Sequence, residues 1–449
     1  MKTLIDPSTT RPRVAACLAC SALLALPLLW SSAASATDLE DVYEQARQYD
    51  AEYSAARYDL EAARQLIPTA RSSFLPQLAF GAEAGLTTLA DDGEGPYEDT
   101  ALSLSLSQTL FNRAFGKTLD QAEITVLQAE AQYAALGQAL ILRVATAYFE
   151  VLRSQAIVEF SQSELEAISR QLEQAERRYD VGLVPITDVR SAQAQHDLAV
   201  AQEIAASNQL STAREALVLI SGVNTESLAQ LADDLPLLPP EPADIDAWVD
   251  QALEQNLELL IARYAEESST TQVAIERASR YPTLDLVGTA ASNTTDQTLR
   301  SDSDVAEIKL QLSVPILTGG RINAQVAQAR AEALSAGEQL LAQERATTQQ
   351  TRDGYRGVQA SISRVKALRQ ALESTRKSAE ATEAGFRAGT RTSVEVLQAL
   401  RDTFSARSDY AGARYDYIIN TLNLKAASGT LSESDLLSVN RFLAEPESD

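Results

Sequence analysis

Two kinds of periodicity alternate along this chain. From Ala101 to Leu110 the residues read A-L-S-L-S-L-S-Q-T-L. From Ala306 to Ile316, Ile308, Leu310, Leu312, Val314 and Ile316 fall on one face, with Glu307, Lys309, Gln311 and Ser313 on the other. A period of two predicts strands with one apolar face. Weaker partners precede each, at Leu78–Thr88 and Thr283–Asn293, with Leu78, Phe80 and Leu86, or Leu284 and Leu286, on the apolar side. Elsewhere breakers are scarce: no proline falls between Lys117 and Val184, nor between Arg321 and Glu445. Helices near Lys117–Asp180 and Arg321–Ala388 would run about 65 residues, or about 100 Å. Helices so long outrun any globular core and have to pack side by side as coiled-coil-like pairs. Their apolar positions are mostly Ala and Leu, as at Ala194, Leu198, Ala201, Ala205 and Ala206, which permits close approach.

The pattern is written twice. Ala56-Arg57-Tyr58 matches Ala262-Arg263-Tyr264, and Pro76 and Leu78 match Pro282 and Leu284, all at an offset of 206. The offset becomes 207 for Tyr148 with Tyr355, Gly182 with Gly389, and Gly222 with Gly429. A register held so long is an internal duplication. It divides the chain into a first repeat at 37–232, a Pro-rich linker at 233–243, a second repeat at 244–440 and an acidic tail at 441–449. Each repeat is expected to hold two helices in series, a strand pair (about 76–110 and 283–317), a long helix, a tight turn (about 181–188 and 388–395) and a second long helix.

Residues 1–36 carry Lys2, Arg11 and Arg13 ahead of an apolar run from Val14 to Trp30, then Ala34-Ser35-Ala36. This is the form of a cleaved secretory signal peptide. Both cysteines, Cys17 and Cys20, fall within it, so the exported product would hold no disulfide. The sequence contains 38 Lys+Arg against 62 Asp+Glu, a formal charge of -24, which argues against a nucleic-acid partner. One histidine, His196, and no methionine beyond Met1 leave metal and haem chemistry almost without ligands, so no cofactor is expected. The carboxylate pairs Asp91-Asp92, Asp233-Asp234 and Glu266-Glu267 lack any pocket-building context and read as solvated charges, so no catalytic residue is assigned.

Export, strands of about 10–12 residues and aromatics near their ends (Phe74, Tyr97, Phe111, Tyr281) fit spanning strands of an outer-membrane barrel. Four strands cannot close, because open edges would leave unpaired backbone groups in lipid. Two copies give eight strands and a filled lumen, whereas three give twelve and room for a conduit. The expectation is an α+β membrane protein: a homotrimer whose 12-stranded β-barrel, four strands per chain, continues into an α-helical coiled-coil barrel.

Several segments carry a family resemblance: Phe74-Leu75-Pro76-Gln77-Leu78, Ala145-Thr146-Ala147-Tyr148-Phe149, Tyr179–Val189 and Ala384–Thr392. Together they resemble the TolC family of outer-membrane efflux and export channels, over the whole chain beyond the leader. The resemblance implies a passive exit duct of a tripartite efflux or type I secretion system, gated at its periplasmic tip. Its implied partners are a periplasmic adaptor protein and an inner-membrane pump of RND or ABC type.

The turns Asp180–Val189 and Arg387–Val396 reverse the two helix pairs. Gly182 and Gly389 are placed to end a helix at positive φ, and Thr392 with Glu395 spells a capping box. By the resemblance these turns are the tip, with Gly182, Leu183, Gly389 and Thr390 at the adaptor-docking surface. Thr187, Asp188, Arg391 and Glu395 match the family's gate positions, Glu395 standing where its best-known member has aspartate. Two positions depart: Gln398 replaces a second ring carboxylate, and Phe386 replaces a tyrosine whose hydroxyl helps hold the gate. The competing reading is a periplasmic coiled-coil adaptor without a pore, which would not need four strands with a lipid-like face.

Overall fold

The computed structural model describes residues 37–87, 97–223, 227–232, 235–295 and 302–444. The predicted leader, most of the first strand-pair loop, Asp233-Asp234 and the last residues of the acidic tail lie outside them. In chain order the elements are α1 (Leu39–Tyr49), α2 (Ala51–Arg64), α3 (Leu66–Ser72), β1 (Gln77–Thr87), β2 (Tyr97–Phe111), α4 (Arg113–Asp180), α5 (Ile186–Ser221), β3 (Gln230–Leu231), α6 (Ile245–Gln255), α7 (Leu257–Ala278), β4 (Thr283–Thr295), β5 (Ser303–Ser313), α8 (Arg321–Arg387), α9 (Ser393–Ala427), α10 (Glu433–Asn440) and β6 (Leu443–Ala444).

The helix starts follow from short polar side chains. Asp38, Asp50, Asn112 and Asn256 each accept from a backbone N–H of the first turn of α1, α2, α4 and α7, satisfying a donor that the helix leaves orphaned. α4 and α8 reach 68 and 67 residues, about 100 Å. α5 and α9 are about half as long, at 36 and 35 residues. α4 lies against α5 through Ile168, Ala175, Ala192 and Ala199. Nearer the sheet it meets α7, where Gln121 Nε2 donates to Gln272 Oε1 at 3.1 Å.

β1, β2, β4 and β5 form one antiparallel sheet in that order, with β2 and β4 joining the two halves. The register puts Leu78, Phe80, Leu102, Leu104, Leu286, Ile308, Leu310 and Leu312 on one face. Glu83, Ser103, Ser105, Asp285, Thr289, Glu307, Lys309 and Gln311 share the other. Most of the apolar side chains named here are exposed in a single chain. β1 and β5 have no second strand neighbour among the described residues. At the foot of the sheet Phe74 meets Phe115 edge-on at 5.4 Å, and the Arg113 guanidinium lies 4.1 Å from the Tyr281 ring centre.

Several details depart from the sequence reading. The last strand stops at Ser313 rather than Ile316, because Pro315 has no N–H for a ladder. Three short helices, not two, precede the first strand pair. Pro68 cannot donate to the carbonyl of Arg64, and the helix breaks at Gln65, whereas its repeat mate Ala274 lies within the unbroken α7. The tail is not purely a tail: Leu443–Ala444 pair with Gln230–Leu231, and Thr37 bridges Leu228.

The main core sits at this level. Leu39 and Val42 of α1, Leu140, Val144, Tyr148 and Phe149 of α4, Leu217 of α5, Val358 of α8, Ile418 and Leu422 of α9 and Leu436 of α10 are buried together. Tyr148 Oη donates to the carbonyl of Ala229 at 2.8 Å, tying α4 to the segment before β3. The most apolar part of α4 is thus spent on the core.

Candidate gate at the helical hairpin tips

Both tips are built by the same backbone device. Gly182 and Gly389 take φ of 76° and 77°. Gly182 N donates to Tyr179 O and Leu183 N to Arg178 O, both at 2.8 Å; Gly389 N donates to Phe386 O at 3.0 Å and Thr390 N to Gly385 O at 2.9 Å. These paired bonds are Schellman caps, and the left-handed glycine lets the chain reverse without a Cβ penalty. Leu183 and Thr390, next in line, are exposed.

The second tip then restarts on its capping box. Thr392 N donates to Glu395 Oε2 at 2.7 Å, and Glu395 N to Thr392 Oγ1 at 3.3 Å. Arg391 Nη1 donates to Glu395 Oε1 at 2.6 Å. Glu395 is therefore held down to about 2, first by the Thr392 N–H, then by Arg391 and the Thr392 hydroxyl. Its charge is fixed, but both of its oxygens are already committed. Gln398 Nε2 donates to Asp402 Oδ1 at 2.8 Å, one turn further along α9.

Thr187 is exposed and Asp188 half-buried in the first turn of α5. Neither side chain has a hydrogen-bond or ion-pair partner among the described residues, and within one chain Arg391 is bonded to neither. Phe386 does find a partner on the other hairpin: the Arg178 guanidinium sits 4.9 Å from its ring centre. A tyrosine hydroxyl is not needed for that contact, since the ring face attracts the cation.

A second link between hairpins lies above the tip. Leu397 of α9 is buried against Ile168, Ala175, Ala192 and Ala199 of the α4–α5 hairpin. Arg401, one turn on, donates to Gln195 Oε1 of α5 at 3.1 Å and approaches Glu164 Oε1 of α4 at 3.7 Å. The Glu164 side chain is 15% exposed; burial raises its pKa and Arg401 lowers it. Neither Arg178 nor Arg401 stood out in the sequence. Each acts across helices about 200 residues apart, and the only local signal is a long cation beside an apolar stripe.

Arg401→Ala should loosen this seam by about 1–2 kcal/mol, discounted for the exposed arginine, because Glu164 is left half-desolvated without its cation. A carboxylate whose folded pKa is raised costs stability when ionised and recovers it as pH falls. Amide exchange in α9 around Arg401 should therefore be faster in the variant at pH 7.5, and the difference should shrink on acidification. A difference that does not change with pH would remove Glu164 from the account.

The family relationship follows from the whole chain. The model of the outer membrane efflux protein family matches at residues 42–223 and again at 248–430. This chain belongs to that family. The two matches begin 206 residues apart and end 207 apart. Outer membrane protein TolC of Escherichia coli (strain K12) is 37% identical over 433 residues, covering 93% of this chain and 87% of that protein. TolC of Vibrio cholerae is 37% identical over 420 residues, covering 92% and 95%. Among solved structures, CusC superposes with a TM-score of 0.75 at 17% identity, over 87% of this chain and 92% of that one. The efflux-family chain is an outer-membrane channel for efflux or type I secretion, so the reading as a soluble periplasmic scaffold falls away. Members of this family work in tripartite systems with adaptor proteins.

Proposed function

We propose that three copies of this chain close a twelve-stranded barrel whose lumen continues between the long helices as a tunnel gated at the hairpin tips. The observation that carries this reading is the four-stranded sheet itself. It has one apolar face, strands of 11–15 residues and two uncovered edges. In lipid each unpaired edge would leave a row of unsatisfied N–H and C=O groups, and closure with further copies removes both edges at once. Twelve strands leave a conduit where eight would be filled by side chains.

The tips supply the gate. Thr187, Asp188, Arg391 and Glu395 lie in the first turn of a hairpin's return helix or just before it, so a threefold ring brings copies of them to one level. Gln398, bonded back to Asp402, adds no charge to that ring. The reversing turns, with Gly182, Leu183, Gly389 and Thr390 outermost, present the surface for a periplasmic adaptor coupled to an inner-membrane pump of RND or ABC type. Cleavage of residues 1–36 would precede assembly.

The test is the mass of the detergent-extracted protein together with its fractionation. A particle of three chains from the outer membrane is expected; a stable monomer there overturns the closed barrel.

A further inference from the structure

The charges of this chain are sorted along the sheet. Four segments pass the end where the strands meet the long helices, at 62–82, 100–119, 277–284 and 308–331. Together they hold nine Lys or Arg and no Asp or Glu, in a sequence with 62 acids to 38 bases. The opposite, hairpin end carries Glu98, Asp99, Asp302 and Asp304. Arg113, Arg277, Arg280 and Arg321 stand close beyond the strand ends, and all four are exposed.

Their contacts join them into one row from α4 across α7 to α8. The Arg113 guanidinium lies over the Tyr281 ring. Arg280 Nη2 donates to Asn323 Oδ1 at 2.9 Å, and Arg321 Nη1 to Gln325 Oε1 at 2.9 Å. These partners are neutral, and none of the four arginines has an ion-pair partner among the described residues. The acids that flank the row in sequence are engaged elsewhere. Asp120 pairs with Lys117 at 2.8 Å, Glu276 accepts from Gln272, and Asp285 accepts from Thr109 on the polar face of the sheet. Like charges held in a row without counter-charge call for an anion from outside the chain.

The exposed apolar surface of the sheet runs on to this row. Phe111 is two residues from Arg113, Tyr281 adjoins Arg280, and Ile316 and Leu317, 92% and 91% exposed, lead from β5 to Arg321. A spanning sheet that passes from aliphatic side chains to aromatic rings to cations puts those cations at headgroup depth. We propose that the row Arg113, Arg277, Arg280 and Arg321 binds the phosphates of anionic phospholipids in the leaflet on the helical side of the membrane. The proposal rests on the reading of the sheet as membrane-spanning and adds to it the class of lipid held there. A guanidinium fork matches phosphate geometry, and its stem lies against apolar surface. A zwitterionic lipid brings its own ammonium with the phosphate, so net charge decides. One such cation near an anionic surface is worth about a fivefold preference.

Spin-labelled lipids test this on the extracted channel returned to phosphatidylcholine vesicles at low ionic strength. Labelled phosphatidylglycerol is expected in the motionally restricted shell about fivefold over labelled phosphatidylcholine. The preference should vanish when all four arginines are replaced, Arg113→Gln, Arg277→Gln, Arg280→Gln and Arg321→Gln, and persist when the same four become Lys. Equal retention of the two lipids by the parent, or an unchanged preference in the glutamine variant, overturns the proposal. Should that variant not reach the membrane, the parent decides alone: a preference that survives about 1 M salt is not electrostatic and overturns it too. Loss of the preference on adding inorganic phosphate at matched ionic strength would assign the row to a soluble anion instead. A glutamine variant that keeps its lipid preference but changes ion selectivity would place the cations in the lumen. No restricted lipid of either kind around the parent is the separate failure of the spanning reading.

Discussion

Phe149→Ala is expected to destabilise the chain by about 3–5 kcal/mol. Phe149 is fully buried, edge-on to Tyr148 at 5.6 Å and stacked on Tyr415 of α9 at 5.7 Å. It sits where α4, the longest helix, crosses the second hairpin, so nothing short of moving α9 can fill the hole. The packing there is aromatic on both sides, and rings do not collapse into a void as aliphatic chains do. The check is the thermal midpoint of helical signal in detergent and the steady-state level in outer membranes, both of which should fall. Phe149→Leu, which keeps most of the volume, should cost less than about 1.5 kcal/mol. Equal effects from the two substitutions would mean the site is not packed as described.

What could be read from the sequence and what could not divides along the range of the interaction. Period-two alternation at Ala101–Leu110 and the proline-free stretch from Lys117 are local, so both elements were legible, as were the Gly182 and Gly389 caps and the Thr392–Glu395 box, which depend on neighbours within five residues. The break at Gln65 is not legible from the repeat, because the second copy has Ala274 where the first has Pro68 and its helix runs on unbroken, and the short ladder of β3 with β6 is hidden because two residues carry no periodicity. The gate residues were named by resemblance, not by pattern. Within one chain Arg391 bonds Glu395, because a guanidinium takes the nearest carboxylate and a helical turn puts Glu395 one turn away. Contacts such as Arg178 with Phe386, or Arg401 with Glu164, join helices distant in sequence, and no local propensity encodes them.

Arg391→Ser should raise single-channel conductance and antibiotic leakage, Asp188→Ala should do the same, and the double variant should add little. The expectation comes from what is left over in one chain. Arg391 gives one donor to Glu395 and has no other hydrogen-bond or ion-pair partner among the described residues, while the side chains of Asp188 and Thr187 offer oxygens that none of the described residues bonds. In the proposed ring of three chains these complementary groups would lie at one level, and Phe386, occupied by Arg178, brings no hydroxyl to share the task. A charge-assisted contact is worth about 1.5–3 kcal/mol, so even the lower figure moves a closed-to-open equilibrium about tenfold per contact. The competing account is that Arg391 only serves Glu395. Glu395→Gln would then open the channel as Arg391→Ser does, and Asp188→Ala would leave conductance at the parental value. Acidity separates the two as well. Glu395, lowered to about 2, keeps its charge through the ordinary carboxylate range and loses its bonds only as pH falls through about 2. If the tip loosens already at mildly acid pH, the titrating group is not Glu395, and the latch has to be sought in carboxylates that Arg391 reaches across the subunit boundary.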